Sequence, residues 1–280
     1  MSDSLPIDEF IKSNDAIFHY TRASVALEEI LFYGKFRLSL LKDTNDPWEY
    51  KFQLLNMSGW SLPNEVIELY DKAHPVIDRI IRMESRVMCF CSNTVPTIIL
   101  DTGDTIRDTV VNTIGWNKSR MWAQYGENHR GICLVFSRKA IEAEFANIKE
   151  GVITENMQYT TRASIRRNAY TLNGNQLVKD GVENYCYNHI KQHSEALFFT
   201  KYIDYRDESE YRVVVFDPNN KYEYIDIKKS IKCVISGDRT PDVYFPLIRQ
   251  LSDRYGIECR HAYWDRGTPH LVPCKEDEKT

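Results

Sequence analysis

No apolar run in the chain approaches the roughly 20 residues that a membrane-spanning helix requires. The first residues, Met1-Ser2-Asp3-Ser4-Leu5, lack the basic start and apolar core of a secretory signal, so a cytoplasmic location is expected. Charge of one sign is also in short supply. A formal net charge of −4 gives no global attraction to nucleic acid or acidic lipid. The seven cysteines include no C-x₂-C pair, which argues against a structural zinc site and for reduced thiols. Walker, G-x-G-x-x-G, H-E-x-x-H and G-x-S-x-G motifs are absent. Internal repeats, low-complexity blocks and obvious linkers are missing too.

What is present is an ordinary globular mixture, 42% hydrophobic and 27% charged, in a chain long enough for one large domain. One domain over residues 1–280 is therefore expected, with loose termini at 1–15 and 275–280. Ile17 to Tyr20 reads as a strand. Thr21 then reads as the cap of a helix with the stripe Ala23, Ala26, Leu27, Ile30 and Leu31, stopped at Gly34. Lys35 to Ser39 alternates like a strand. Asp46, Pro47 and Glu49 fit a helix start, and a helical pattern from Ser61 to Met83 should break at Pro75.

Further on, Val87–Cys91 reads as a buried strand. Residues 92–116 read as a long loop with a short strand at Ile98–Leu100. Ser119–Tyr125 reads as a short helix, Gly131–Phe136 as an apolar strand, and Ser137 as the start of another helix. The stretch from Tyr159 to Thr200 reads as mostly helical, broken at Asn173-Gly174. Tyr211–Phe216 is the most strand-like segment, and Tyr222–Ile227 should return beside it after a turn. A strand, a helix and a strand end the chain, between Ile231 and Trp264. This mixture without a strict βαβ rhythm predicts an α+β fold, with mixed or antiparallel sheets flanked by helices.

Five groups of residues suggest chemistry, and each has a plainer alternative. On one strand, Glu208, Glu210 and Arg212 would share a face, with the carboxylates roughly 7 Å apart. That group suits a sugar hydroxyl or a cationic transition state; the alternative is a solvated ion pair. His19, just before a helix start at Tyr20-Thr21, could hold a ribose hydroxyl or simply edge the core. Trp122 and Tyr125, spaced i and i+3, could stack on a flat cationic ring or fill the core. Trp48 and Asn45, in the run Asn45-Asp46-Pro47-Trp48-Glu49, could line a pocket or merely start a helix. Arg162, Arg166 and Arg167 form a small basic face that suits either a phosphate backbone or solvent. Cys89 and Cys91 share a strand face without a metal-binding spacing.

The ordered series His19-Tyr20-Thr21, Leu38-Ser39, Asn45-Asp46-Pro47-Trp48-Glu49, Cys89-Phe90-Cys91-Ser92, Met121-Trp122-Ala123-Gln124-Tyr125, Gly131 to Phe136, and Glu208-Ser209-Glu210-Tyr211-Arg212 resembles the bacterial domain-of-unknown-function family 2971, over roughly residues 16 to 240. That family in turn distantly resembles ADP-ribosyltransferases. The resemblance implies an ADP-ribosyltransferase-like core and a site for NAD as substrate. In it Glu210 is the catalytic carboxylate, Glu208 its assistant, and His19 the ribose holder. Tyr20, Thr21, Trp122, Tyr125 and Arg212 would lie around NAD, with no metal. It implies an ADP-ribosyltransferase or NAD glycohydrolase, of the kind used as bacterial or phage conflict effectors. The acceptor (protein, nucleic acid or water) is left open, as is a regulatory protein partner. The alternatives are a non-catalytic nucleotide- or protein-binding module with a degenerate groove, and a Mg²⁺-dependent nucleic-acid-processing enzyme using Glu208 and Glu210.

Overall fold

The computed structural model describes residues 5–50, 56–58, 64–109, 114–146, 148, 151–161 and 168–274. The arginine face at 162, 166 and 167, the helix start at Ser61 and the tail 275–280 lie outside them. The main sheet has nine strands: β1 (Ala16–Thr21), β2 (Ser39–Leu40), β3 (Ser85–Ser92), β4 (Ile132–Ser137), β5 (Val152–Asn156), β6 (Glu210–Phe216), β7 (Ile231–Ser236), β8 (Glu258–Asp265) and β9 (Thr268–Pro273). Their spatial order is β9-β8-β7-β4-β1-β3-β6-β5, with β2 added to β3. Every pairing is antiparallel except β7 with β8. The helix Phe245–Tyr255 makes that parallel crossover, as a parallel pair requires. A smaller sheet is built from Thr97–Ile99, Thr105–Arg107, Gln158–Thr160 and Thr200–Tyr202. The architecture is α+β with a mixed sheet.

The alternation of β1 divides the core. Ile17 joins Phe36, Phe90 and Phe136 on one face, while Phe18 and Tyr20 join Trp122 and Cys133 on the other. A third apolar cluster gathers around Tyr159, Phe198 and Val214. β4 is buried at every position, consistent with its unbroken apolar run and its place in mid-sheet.

Several expectations need correction. The predicted break at Pro75 does not occur, because one helix runs Asn64–Met83. Ala73, Val76, Ile77 and Ile80 bury one stripe of it, and this packing outweighs the about 3 kcal/mol that an interior proline costs. Thr21 ends β1 rather than capping a helix. The following segment, Val25–Leu31, winds as a π-helix, yet still buries Ala26, Leu27, Ile30 and Leu31. The turn 217–220 does not lead to a strand beside β6. Tyr224–Asp226 instead pairs with Lys35–Arg37. The stretch from Tyr159 to Thr200 is less helical than its polarity implies. It includes the strands Gln158–Thr160 and Thr171–Asn173, and Asn173 caps the next helix by accepting from Gln176 N–H. The loop 92–116 holds two short strands, and residues 110–113 are outside the described set.

β5 and β9 carry only weak patterns in the sequence. Residues 5–15, expected to be loose, carry a helix at Ile7–Phe10, bury Ile11, and are tied down where Asn93 Nδ2 donates to the carbonyls of Ile11 and Ser13. Among the described residues, no helix is long and apolar enough to cross a membrane.

Gly131, at the entry to β4, lies against the end of β1. A Cβ there would sit 2.3 Å from the Thr21 carbonyl oxygen, which the β1–β4 ladder holds in place. Gly131→Ala should therefore destabilise the protein by about 1–3 kcal/mol, the usual scale of overpacking. Thermal unfolding checks this; an unchanged midpoint would show that the two strands separate freely.

Candidate functional site

The site begins with a break in a ladder. β1 pairs with β3 at Ile17/Ser92 and Phe18/Cys91, and β2 takes the same edge at Ser39/Val87 and Leu40/Arg86. Met88, Cys89 and Phe90 lie between the two contacts. A cavity of about 200 Å³ opens here. Residues from both faces of the sheet reach it: His19, Phe36 and Phe90 from one, and Cys89, Glu210 and Arg212 from the other.

His19 Nδ1 donates to the Cys89 carbonyl at 3.2 Å, spanning the gap. Its ring packs edge-on to Phe36, with centroids 4.6 Å apart. Burial lowers its pKa to about 4 against the opposing effect of that hydrogen bond, so the ring is neutral near pH 7. With its proton fixed on Nδ1, Nε2 carries a lone pair and accepts hydrogen bonds.

The carboxylates come from the opposite side. Glu208 is not on the strand, which corrects the expectation that Glu208, Glu210 and Arg212 share one strand face. It ends a 3₁₀ turn, Ile203–Glu208, and Ser209 follows at φ 42° and ψ 51°. This left-handed residue is held on several sides. Ser92 N–H and Oγ both donate to its carbonyl, and Lys118 Nζ donates to its Oγ. Cys91 Sγ donates to the Glu208 carbonyl. β6 then starts at Glu210, where Tyr159 Oη accepts from the backbone N–H.

The bent route still brings both carboxylates to Lys201, whose Nζ lies 2.9 Å from Glu208 Oε2 and 2.6 Å from Glu210 Oε2. Tyr125 Oη donates to Glu208 Oε1 at 2.8 Å. Glu210 and Arg212 do share a face of β6. Arg212 Nε donates to Glu210 Oε1 at 2.7 Å, and Nη1 donates to Glu49 Oε1 at 2.6 Å and to the Phe198 carbonyl. Burial would raise the Glu210 pKa, but the Arg212 guanidinium and then Lys201 pull it down to about 2. Burial likewise opposes the Lys201 ammonium, and Glu208 and Glu210 hold its pKa well above the ordinary value.

Of the predicted residues, His19, Tyr20, Tyr125, Glu208, Glu210 and Arg212 all line this cavity. Thr21 and Trp122 do not. Trp122 is fully buried. Its Nε1 donates to the Trp116 carbonyl, and its ring stacks on His129 at 6.4 Å, beneath a turn where Glu127, Asn128 and His129 all have positive φ. Tyr20 is largely core, edge-on to Trp122 with its hydroxyl bound to the Gly115 carbonyl. Arg212 is fully enclosed and holds Glu210 and Glu49. Asn45 lines the cavity, whereas the side chain of Trp48 lies outside what is described.

Lys201, Glu49 and Asp46 were missed. Lys201 is a lone cation in the apolar run Leu197 to Ile203, a pattern that could have flagged it. In the sequence Glu49 reads as a helix-start residue. It does sit there, its N–H bonded to the Asp46 carbonyl, but its side chain is buried and paired with Arg212. Cys89 and Cys91 face this side of the sheet as well. Burial holds both thiols up, Cys91 to about 12, so neither is a ready nucleophile. Among the described residues, no three His, Cys, Asp or Glu side chains are grouped to hold a metal ion.

A family described as a protein of unknown function (DUF2971) matches residues 121–213. This is narrower than the expected span of about 16 to 240. It takes in Tyr125, Lys201, Glu208, Glu210 and Arg212 and leaves out His19 and Glu49. No curated protein and no solved structure matches the chain, and nothing in these comparisons resembles an ADP-ribosyltransferase.

Removing Arg212 would strand Glu210 and Glu49 without their shared cation. Arg212→Met should cost about 3–5 kcal/mol in denaturant unfolding, the scale for breaking a buried ion pair. A loss under about 1 kcal/mol would mean that the carboxylates are solvated. Acid should act through the same group. The folded pKa of Glu210 is depressed from 4.5 to about 2, so its stabilising effect is full above pH 4.5 and is lost as pH falls towards 2. Glu210→Gln should flatten stability against pH within that window.

Proposed function

We propose that this cavity takes the nicotinamide-ribose end of NAD, and that the protein cleaves the bond between them as an ADP-ribosyltransferase or NAD glycohydrolase. The observation that carries the reading is convergence. His19 and Glu210, far apart in sequence, line one cavity together with four buried carboxylic side chains, Asp46, Glu49, Glu208 and Glu210, and the two buried cations Lys201 and Arg212. An excess of carboxylates favours a bound cation, and both the nicotinamide ring of NAD and the oxocarbenium-like transition state of its cleavage are cationic.

Glu210 is the group to stabilise that charge. It is ionised, and its Oε2 is held at 2.6 Å by the Lys201 ammonium. A ribose hydroxyl donating to Oε2 would use its second lone pair. His19 Nε2 accepts from a second hydroxyl, and the Phe36 and Phe90 rings give the nicotinamide an apolar wall. Glu208, held by Tyr125 and Lys201, is placed to orient an incoming acceptor or water. The volume limits the reading. About 200 Å³ is below the roughly 300–1,000 Å³ of typical ligand clefts, so only one end of a dinucleotide fits inside.

A second reading has one observation in its favour. Lys201 lies 2.6 Å from Glu210 and offsets much of the negative potential needed for catalysis. On that reading the cavity binds a nucleotide without turning it over. Incubation with NAD, with free nicotinamide as the readout, separates the two. Cleavage predicts nicotinamide release that falls about 10²–10³-fold in Glu210→Gln, the usual effect of removing one transition-state electrostatic contact. Saturable NAD binding with no release, unaltered in Glu210→Gln, supports the binding module.

A further inference from the structure

A pair of thiols lies at the other end of the sheet, away from the cavity. The β8–β9 ladder pairs Arg260 with Pro273, and the next step brings Cys259 opposite Cys274, whose N–H donates to the Cys259 carbonyl at 3.2 Å. Directly opposed residues of an antiparallel pair point to the same face. Both side chains lie at the same apolar cluster, Cys274 within it and Cys259 packed against it. A hydrogen-bonded pair places the Cα atoms about 5.5 Å apart, inside the roughly 4.4–6.8 Å range that a disulfide spans. Both cysteines are free. Cys259 is half-buried and Cys274 buried, so the first is the one a small oxidant reaches.

We propose that Cys259 and Cys274 are a redox-active dithiol that closes to a disulfide when a peroxide oxidises Cys259. The Cys259 thiolate attacks a peroxide oxygen, the O–O bond breaks, and Cys259 becomes a sulfenic acid as hydroxide leaves and takes up a proton. The Cys274 sulfur then attacks the sulfenic sulfur. The S–S bond forms, the S–O bond breaks, and the Cys274 proton leaves with the hydroxyl as water. Two electrons pass from the two sulfurs to the peroxide. The assignment of roles agrees with the acidities. The Cys274 thiol opposite it, with Arg249 adding to the effect against burial, lowers the Cys259 pKa to about 7, while the Cys274 thiol is held up. The other five cysteines show no such pairing in register. The bridge would fasten the edge strand β9 to β8 and leave the NAD reading untouched.

The test treats the folded full-length chain with hydrogen peroxide, blocks remaining thiols by alkylation, and maps the digest by mass spectrometry. The expected product is one cross-linked peptide pair joining Cys259 to Cys274, two hydrogens lighter than the reduced pair and restored by dithiothreitol. Oxidised protein should also melt at a higher temperature than reduced protein, since the bridge constrains the unfolded chain. In Cys274→Ser, whose fold is checked by circular dichroism, Cys259 should stop at a sulfenic acid that dimedone traps. A disulfide between any other pair, or Cys259 and Cys274 both still alkylated after peroxide treatment, overturns the proposal.

Discussion

The guanidinium of Arg212 is the centre on which the site depends. It has no exposure to solvent, and it holds Glu210 and Glu49 while Lys201 bridges Glu210 to Glu208. Desolvating so many charges is costly, and a hydrophobic cluster of the same volume would serve stability as well or better. What such a network does provide is fixed position. The short helix Pro47–Tyr50 sends Glu49, the strand at Thr200–Tyr202 sends Lys201, and β6 sends both Glu210 and Arg212 to the same point. The carboxylates cannot drift without breaking a bond to a cation.

The break in the β3 edge gives that fixed group something to face. A continuous ladder would have closed the space between His19 and Cys89 with backbone hydrogen bonds. Because β1 leaves β3 after Phe18 and β2 joins it only at Val87, a slot remains through which both faces of the sheet contribute side chains. The left-handed Ser209, held by Ser92 and Lys118, is the second local device. It redirects the chain between Glu208 and Glu210 so that a turn residue and a strand residue meet at one lysine.

Much of this was legible in the residues. Apolar runs marked β3, β4, β6 and β7, since a strand buried in mid-sheet has no polar face to confuse the pattern. The Glu210–Arg212 contact followed from simple alternation. The rest depends on distant packing. Nothing local in Tyr224–Asp226 says that it pairs with Lys35–Arg37, and a strand of three residues carries little pattern of its own. Glu49 looked fully explained as a helix-start residue, and only the approach of Arg212 from far along the chain reveals its second role. Trp122 and Tyr125 shared one spacing and one expectation, yet one became core and the other a cavity wall. Helical spacing says which residues share a face and is silent about what that face meets.

The central claim is that the gap in the sheet receives the nicotinamide-ribose end of NAD. Saturation-transfer NMR on the protein with NAD, in which protein protons are irradiated and each ligand proton's gain is read, tests it most directly. The account predicts the strongest transfer to the nicotinamide and adjacent ribose protons, weak transfer to adenine, and loss of the signal when free nicotinamide competes. Strongest transfer to the adenine protons, or none to NAD at all, would contradict it.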